Sequence, residues 1–199
     1  MELYFAPLAC SLATRMWLYE TGAEARFTQV DTRAKTVGGE NFLAINPKGQ
    51  VPTIRTHDGE ILTENAAILQ YVAERFPGAG RPNPHRLREW LSFIGAELHR
   101  GVFGALLSPE APAEAKAYAR HLAKARLGYL NDHLADRDYL LNEFSVADAY
   151  LTTVLNWTRV AGPDLADYPN LAAYHGRMLG RPAVLKAVME EQALYAKAA

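Results

Sequence analysis

The chain contains one cysteine, Cys10, and its position gives it chemical interest. It follows a short apolar run, Leu3 to Phe5, and a break at Ala6-Pro7, and it stands at the start of a helical pattern that ends at Gly22. Free amides and the macrodipole at a helix N-terminus stabilise negative charge, so they favour a thiolate over a thiol, whose reference pKa is about 8.5. A lone cysteine can also be a small buried hydrophobe. The position favours the reactive group.

Five further residues suit an extended ligand that carries charges. Pro52 withholds an amide from the sheet and belongs at a strand start or edge, where a cis bond after Val51 would expose backbone groups for pairing with a peptide. Asn65 can cap a helix whose free amides form a carboxylate site, Glu64 can receive an ammonium group, and Lys35 can meet a second carboxylate. Each residue alone also has a structural explanation. Their occurrence together, at positions that follow Cys10 in the sequence, indicates a ligand site.

The elements that must position these residues form two regions. Residues 1–76 predict the order β-α-β-α-β-β-α, with Asp58-Gly59 as a hairpin turn. Residues 77–84 contain three prolines and two glycines, which are typical of a linker. No convincing strand follows in residues 85–199. The sequence therefore predicts an α+β protein in which a small α/β domain precedes an all-helical C-terminal domain.

The helical region has readable apolar faces and helix starts. Ser145 and Asp148 predict a capping box at the start of one helix. Pro169 and Pro182 each predict the first turn of a shorter helix. The long first helix of the region has an apolar stripe, formed by Leu87, Trp90, Leu91, Ile94, Leu98 and Phe103. The helix predicted for Ala113 to Leu134 has its apolar face at Tyr118, Leu122, Ala125 and Tyr129.

The composition excludes several classes of protein. A net charge of -1 with scattered basic residues argues against a nucleic-acid partner. One cysteine cannot form an internal disulfide framework and fits a reducing compartment. No apolar run approaches the roughly 20 residues that a membrane span needs, and no signal peptide is visible. The sequence predicts a cytoplasmic protein with neither a metal ion nor a membrane partner.

Five segments together carry a resemblance to a known family. They are FAPLACSLA, NPKGQVPTI, LTENAAILQYVAERFP, EWLSFIGAELHRGVF and FSVADAYLTTVLNW. With these segments the chain resembles the cytosolic glutathione transferases, and among them the bacterial beta class. The resemblance implies a thioredoxin-like N-terminal domain, a helical C-terminal domain, a homodimer, and glutathione as the co-substrate.

The resemblance also implies how the tripeptide is bound. Val51 would pair with it through its backbone, with Pro52 in the cis form. Glu64 and Asn65 would hold the amino and carboxylate groups of the γ-glutamyl residue. Lys35 would hold the glycyl carboxylate.

The sulfur end of the site has several candidates for catalysis. Cys10 would lie against the glutathione sulfur, and His99 falls where the beta class has a histidine facing the site, with Arg100 at a basic position beside it. Other classes activate glutathione with a tyrosine or serine hydroxyl in this region. Ser11 is the serious competitor of Cys10, because Tyr4 is expected to pack in the core.

The function implied by the resemblance is conjugation of the glutathione thiolate to electrophilic apolar substrates, as in detoxification. Thiol-disulfide exchange through Cys10 is a second expected activity. Two alternatives stay open at this point. One is a glutathione-dependent isomerase or dehalogenase on the same scaffold, and the other is a non-catalytic ligand-binding homologue.

Overall fold

A four-stranded mixed sheet forms the centre of the N-terminal part in the computed structural model, which describes residues 1–198. The strands of the chain are β1 (Glu2–Phe5), β2 (Arg26–Gln29), β3 (Thr36–Val37), β4 (Glu40–Asn41), β5 (Thr53–Arg55) and β6 (Ile61–Thr63). The sheet has the order β2-β1-β5-β6, in which β1 is parallel to β2 and antiparallel to β5. Because β1 is a central strand, its apolar run, Leu3 to Phe5, is buried.

The helices are α1 (Leu12–Glu20), α2 (Asn65–Arg75), α3 (Pro84–Phe93), α4 (Gly104–Leu106), α5 (Ala113–His133), α6 (Val146–Asn156), α7 (Pro169–Leu179) and α8 (Pro182–Ala198). A π-helix over Ile94–Phe103 joins α3 to α4. Single 3₁₀ turns occupy Phe42–Ala44, Trp157–Arg159 and Leu165–Asp167. Among the described residues, no helix combines the length and the apolar composition that crossing a membrane requires.

The predicted element order of the N-terminal part is confirmed, with a difference at its second helix. That helix is only the 3₁₀ turn Phe42–Ala44, in which the Asn41 side chain accepts from Leu43 N. Phe42 is fully buried and the turn ends just before Asn46-Pro47, so nothing extends it. The predicted loop before it contains the small antiparallel hairpin of β3 and β4.

The chain divides into two compact units, and the division differs from the predicted domain limits at the last helix. One unit comprises Met1–Gly78 together with the residues from Arg181 onward, and the other comprises Ala79–Gly180. Helix α8 packs against α1, and Tyr19 of α1 donates to Glu190 of α8 at 2.5 Å. By its contacts, α8 therefore belongs to the first unit and not to the helical one. The domain limits 1–76, 77–84 and 85–199, as units of folding, stay a prediction.

The helical unit confirms the capping box and corrects one apolar face. Ser145 and Asp148 cap α6 reciprocally, with Ser145 N donating to the Asp148 carboxylate at 2.9 Å. On α5, Tyr118 and Tyr129 are 63% and 53% exposed. The core side of α5 is instead formed by Ala119, Ala123, Leu127 and Leu130. The aromatic stripe that dominates the sequence pattern therefore turns outward, and the core side is marked only by alanines and leucines.

Candidate active site

Cys10 lies in the turn that leads from β1 into α1 and is partly buried. Its Sγ donates to the carbonyl oxygen of Val51 at 3.2 Å. Helix α1 begins at Leu12 with Ser11 as the N-cap residue, so Cys10 precedes the helix instead of starting it. A backbone bond from Ala13 N to Cys10 O at 3.3 Å still ties it to the first helical turn.

The two hydroxyl rivals of Cys10 are both buried. The Ser11 side chain has no exposed surface, and its Oγ both accepts from Ala6 N and donates to Ala6 O at 3.3 Å. Tyr4 is buried as predicted, and its hydroxyl donates to Glu2 at 2.9 Å. Since the Ser11 hydroxyl is engaged with backbone on both sides, its placement argues against the catalytic role that the sequence left open.

The four residues between Pro47 and Pro52 form the scaffold of the site: Lys48, Gly49, Gln50 and Val51, here called the anchor segment. The buried Asn46 holds it, because its Nδ2 donates to Gln50 O at 2.9 Å and its Oδ1 accepts from Lys48 N at 3.1 Å. The Val51–Pro52 bond is cis, as the resemblance implies. Sequence reasoning missed Asn46, whose only visible signal was its position before a proline.

Lys35 extends over the anchor segment. Its Nζ donates to Gly49 O at 2.8 Å, and its own φ is 58°. Gly49 also has a positive φ of 60°, and a Cβ there would lie 2.9 Å from Leu43 Cδ2 and 3.1 Å from Lys35 Cδ. The glycine is therefore required both by the backbone and by the path of the lysine side chain.

Glu64 lies at the start of α2 and contacts the other end of the anchor segment. Lys48 Nζ donates to Glu64 Oε1 at 2.7 Å and to Thr63 Oγ1 at 3.0 Å. Glu64 is the N-cap residue of α2, but its side chain makes no capping hydrogen bond. The prediction of Asn65 as the cap was wrong by one position, because Asn65 is the first residue of the helix.

Asn65 has a buried side chain without a partner. It is 9% exposed, and neither its Nδ2 nor its Oδ1 has a hydrogen-bond partner in the structure. Leaving a buried amide unpaired costs about 1–3 kcal/mol. Unpaired buried groups are rare in folded proteins, and binding of a ligand is one explanation for them. With the free first amides of α2, Asn65 offers polar groups to an anionic ligand.

Strained backbone marks the same region. Within residues 1–198, three residues other than glycine have a positive φ, and they are Leu8, Lys35 and Glu64. Two of them are predicted ligand residues, and Leu8 precedes Cys10 by two positions. Residues held in this conformation cluster at ligand sites, because surrounding contacts must maintain it.

A buried carboxylate of α8 holds the Cys10 turn. Glu191 Oε2 accepts from Leu8 N at 2.7 Å, and Glu191 Oε1 lies 3.4 Å from Arg15 Nε. Burial raises the pKa of Glu191 to about 7, although Arg15 and the Leu8 amide oppose the shift. No local sequence pattern pointed to Glu191, because its partners lie more than 170 positions away.

His99 lies in the π-helix of the second unit. Its Nδ1 lies 2.7 Å from the Tyr150 hydroxyl, and its ring packs at 4.9 Å from the Trp157 ring. Burial, and then the neighbouring Arg100 charge, lower the pKa of His99 to about 4, so the ring is neutral at pH 7. Arg100 itself is exposed.

The anchor segment thus brings together three of the predicted residues of the first unit. Cys10 contacts it at Val51, Lys35 at Gly49, and Glu64 at Lys48. A thiol, a cation and an ion pair are therefore arranged along one short piece of backbone. Among the described residues, no group of three or more histidine, cysteine, aspartate or glutamate side chains is placed to hold a metal ion.

Comparison with known protein families places both parts of the chain in one family. Residues 9–75 match the family described as glutathione S-transferase, N-terminal domain, and residues 113–177 match the glutathione S-transferase, C-terminal domain. The chain is 38% identical to glutathione S-transferase GstA of Escherichia coli O157:H7 over 199 residues, which cover 96% of this chain and 98% of that protein.

Solved structures show the same similarity. A beta-class glutathione S-transferase of Sphingomonas chungbukensis superposes with a TM-score of 0.90 at 42% identity, covering 96% of this chain and 98% of that one. A sphingomonad glutathione S-transferase in complex with glutathione gives a TM-score of 0.90 at 43% identity, with 96% and 99% coverage.

Proposed function

The chain belongs to the glutathione S-transferase family and is a glutathione transferase, and from this premise we propose that it transfers the glutathione thiolate to apolar electrophiles and exchanges disulfides through Cys10. The observation that carries the proposal is the convergence of Cys10, Lys35 and Glu64 on the anchor segment. Glutathione has one thiol, one ammonium and two carboxylates. Cys10 supplies a thiol for the glutathione sulfur, Lys35 a cation for a carboxylate, and Glu64 an anion for the ammonium group.

The proposed binding mode follows the order of groups along the anchor segment. The backbone of Val51, before the cis Pro52, pairs with the cysteinyl part of the tripeptide. The γ-glutamyl end lies at Glu64 and Asn65, where the unpartnered Asn65 amide supports the proposal. The glycyl carboxylate lies at Lys35.

Conjugation requires the glutathione sulfur as a thiolate. A thiol with the reference pKa of about 8.5 is only a few per cent ionised at neutral pH, so a protein must stabilise the anion. We propose that the Cys10 turn before α1 provides this environment, and that His99 and Arg100 contribute to it as the resemblance implies. Because His99 is neutral at pH 7, it would act as a hydrogen-bonding group.

Disulfide exchange through Cys10 is a two-step transfer. The Cys10 thiolate attacks the glutathione sulfur of a mixed disulfide, forming a Cys10–glutathione disulfide and releasing the other thiolate. A second glutathione thiolate then attacks this bond, releasing oxidised glutathione and restoring the Cys10 thiolate. The steps balance with no further oxidant or reductant.

The test begins with retention on immobilised glutathione, followed by assays with an aryl halide, a glutathione mixed disulfide and a peroxide. We expect retention, aryl-halide conjugation, and mass addition of one glutathione to the wild type after treatment with the mixed disulfide. Cys10→Ala should lose the mass addition while keeping retention. Covalent glutathione on the alanine variant would contradict the role of Cys10, and failure of the wild type to bind at millimolar glutathione would contradict the binding mode.

We also propose that the chain forms a homodimer through α3 and α5. The outward stripe of α5 continues into a groove of about 670 Å³. The rings of the groove contact one another, with Trp90 to Phe93 at 5.8 Å and Phe93 to Tyr129 at 5.6 Å. Two ion pairs accompany these rings: Arg86–Glu89, at 2.6 Å within α3, and Arg126–Glu97, at 2.8 Å between α5 and the π-helix. A second copy can satisfy such a surface, because a twofold interface needs a self-complementary patch.

Sedimentation tests the dimer. Tyr129→Glu should convert a dimer into a monomer, whereas Tyr195→Glu, at a similarly exposed tyrosine of α8, should leave the mass unchanged. A monomeric wild type would contradict the proposal. The cytoplasmic location and the role in detoxification stay predictions.

A further inference from the structure

Lys48 is a charged residue of the anchor segment to which the sequence resemblance assigns no role. Its Nζ lies 2.7 Å from Glu64 Oε1, and the two side chains are 56% and 69% exposed. The pair joins two loops that are 16 positions apart in the chain. It therefore brings a cation to the residue that the proposed function assigns to the γ-glutamyl ammonium.

Stability does not explain this ion pair. An exposed pair contributes about 0–1 kcal/mol, because water screens the charges and two long side chains must be ordered. Glu64 is also held at a φ of 71°, which costs about 1–3 kcal/mol for a residue other than glycine. The weak pair therefore does not account for the strained backbone at Glu64. A ligand that uses both charges would account for the arrangement.

The surroundings of the pair fit a ligand with both signs of charge. Asn65, the neighbour of Glu64, has a buried amide whose nitrogen and oxygen both lack a partner. The first amides of α2 have no side-chain cap, because Glu64 makes no capping bond. Donors for a carboxylate and an acceptor for an ammonium group therefore lie next to an ion pair that a ligand can open.

We propose that Lys48 and Glu64 form a zwitterion clamp, which binds the α-amino acid head of the γ-glutamyl residue; this rests on the proposed function. Glu64 takes the ammonium group. Lys48 moves from Glu64 to the α-carboxylate, which also receives the Asn65 amide and the first amides of α2. In the unliganded protein the two charges neutralise each other.

The clamp makes Lys48 a specificity-determining residue. A ligand with only the ammonium group binds Glu64 and leaves Lys48 without its counter-ion, and a ligand with only the carboxylate does the reverse. A zwitterion exchanges one internal ion pair for two with the protein. The clamp therefore favours the intact amino acid head over either analogue that lacks one charge.

Calorimetric titration of Lys48→Gln with three tripeptides tests the clamp. The probes are glutathione, the glutaryl analogue without the ammonium group, and the 4-aminobutyryl analogue without the α-carboxylate, each with the same cysteinylglycine part. Lys48→Gln should leave the affinity for glutathione within about twofold, because the variant removes both the internal ion pair that glutathione breaks and one of the two pairs that it forms. Its affinity for the 4-aminobutyryl analogue should rise by about threefold to fivefold at low salt, as expected for one exposed charge pair, because this ligand no longer competes with Lys48 for Glu64. The rise should shrink at 1 M salt, where the Debye length is about 3 Å.

Lys197→Gln is the matched control, because it removes the same charge from an exposed position of α8. It should bind all three probes as the wild type does. An equal gain in affinity for glutathione and for the 4-aminobutyryl analogue in Lys48→Gln would overturn the clamp and leave Lys48 as a mere competitor for Glu64, and so would unchanged affinity for all three probes. An equal loss for all three probes would overturn it as well. A wild type that binds none of the probes would instead refute the proposed function, and the clamp with it.

Discussion

The polar groups around the anchor segment and those around Asp148 differ in how completely they are paired. The Asp148 carboxylate accepts from Leu140 N at 2.8 Å, from Ser145 N at 2.9 Å and from the Tyr174 hydroxyl at 2.9 Å. Near the anchor segment, the Asn65 amide has no partner and the Lys48–Glu64 pair is exposed. Buried polar groups that are fully paired stabilise the fold, whereas groups without partners can still bind a ligand. The groups around Asp148 are therefore called the closed network, and Asn65, Lys48 and Glu64 the open network. The contrast distinguishes the structural residues around Asp148 from the proposed binding residues.

The largest effect is expected in the closed network. Asp148→Ala should lower the free energy of unfolding by at least about 3 kcal/mol, because several buried donors lose their acceptor at about 1–3 kcal/mol each. Urea denaturation measures the change. Glutathione affinity per folded molecule should stay within twofold of the wild type, and a larger change would break the contrast.

The open network should respond in the opposite way. Asn65→Ala should weaken glutathione binding by about tenfold or more, since a hydrogen bond to a charged group contributes about 1.5–3 kcal/mol. Stability should stay equal or rise, because the variant removes a buried amide that has no partner. Calorimetry and urea denaturation test the two statements, with Asn142→Ala as an exposed control that alters neither. A less stable variant with normal affinity would make Asn65 a structural residue.

Gly49 links stability to binding within the anchor segment. Gly49→Ala should cost about 1–2 kcal/mol for the left-handed backbone and should also weaken glutathione by displacing Lys35. Gly22→Ala is the matched control, since Gly22 has a φ of 64° and an added Cβ would meet nothing within 4 Å, against 60° and close contacts at Gly49. It should lose similar stability without losing affinity. Equal affinity of the two variants would show that the path of Lys35 does not matter.

At neutral pH the smallest expected effect is that of His99, which grows only as the pH falls. Burial lowers its pKa to about 4 from an ordinary 6.5, so between these values the unfolded chain binds a proton that the folded chain does not. The contribution of His99 to stability is present above pH 6.5 and is lost as the pH falls toward 4. Unfolding free energies of the wild type and His99→Gln should therefore diverge between pH 7 and pH 5, by at most about 1.4 kcal/mol per pH unit. If the unfolding free energies of the two proteins changed in parallel with pH, the lowered pKa of His99 would be contradicted.

Local patterns accounted for most of the fold. The alternation of elements in residues 1–76, the hairpin at Asp58-Gly59 and the capping box at Ser145 depend on neighbours in sequence, so the sequence predicts them. The outward face of α5 and the placement of α8 against α1 depend on packing between distant segments. Periodicity marks an apolar face but does not say which of two such faces is buried.

The residues of the candidate site also differ in whether local sequence patterns could indicate them. Motif spacing pointed to Cys10, Lys35, Glu64 and Asn65. It did not indicate Lys48, whose contact to Glu64 spans 16 positions, or Glu191, whose contact to Leu8 spans 183. Such residues look like ordinary surface charges until the fold brings their partners to them.

The sequence by itself determined the family, the order of the elements and the types of group at the candidate site. Only the tertiary structure decided which of these groups are already paired: the Ser11 hydroxyl is engaged with Ala6, whereas the Asn65 amide has no partner. The physical reason is that residue type fixes what a group can bind, while its availability depends on burial and on partners that chain folding supplies from elsewhere.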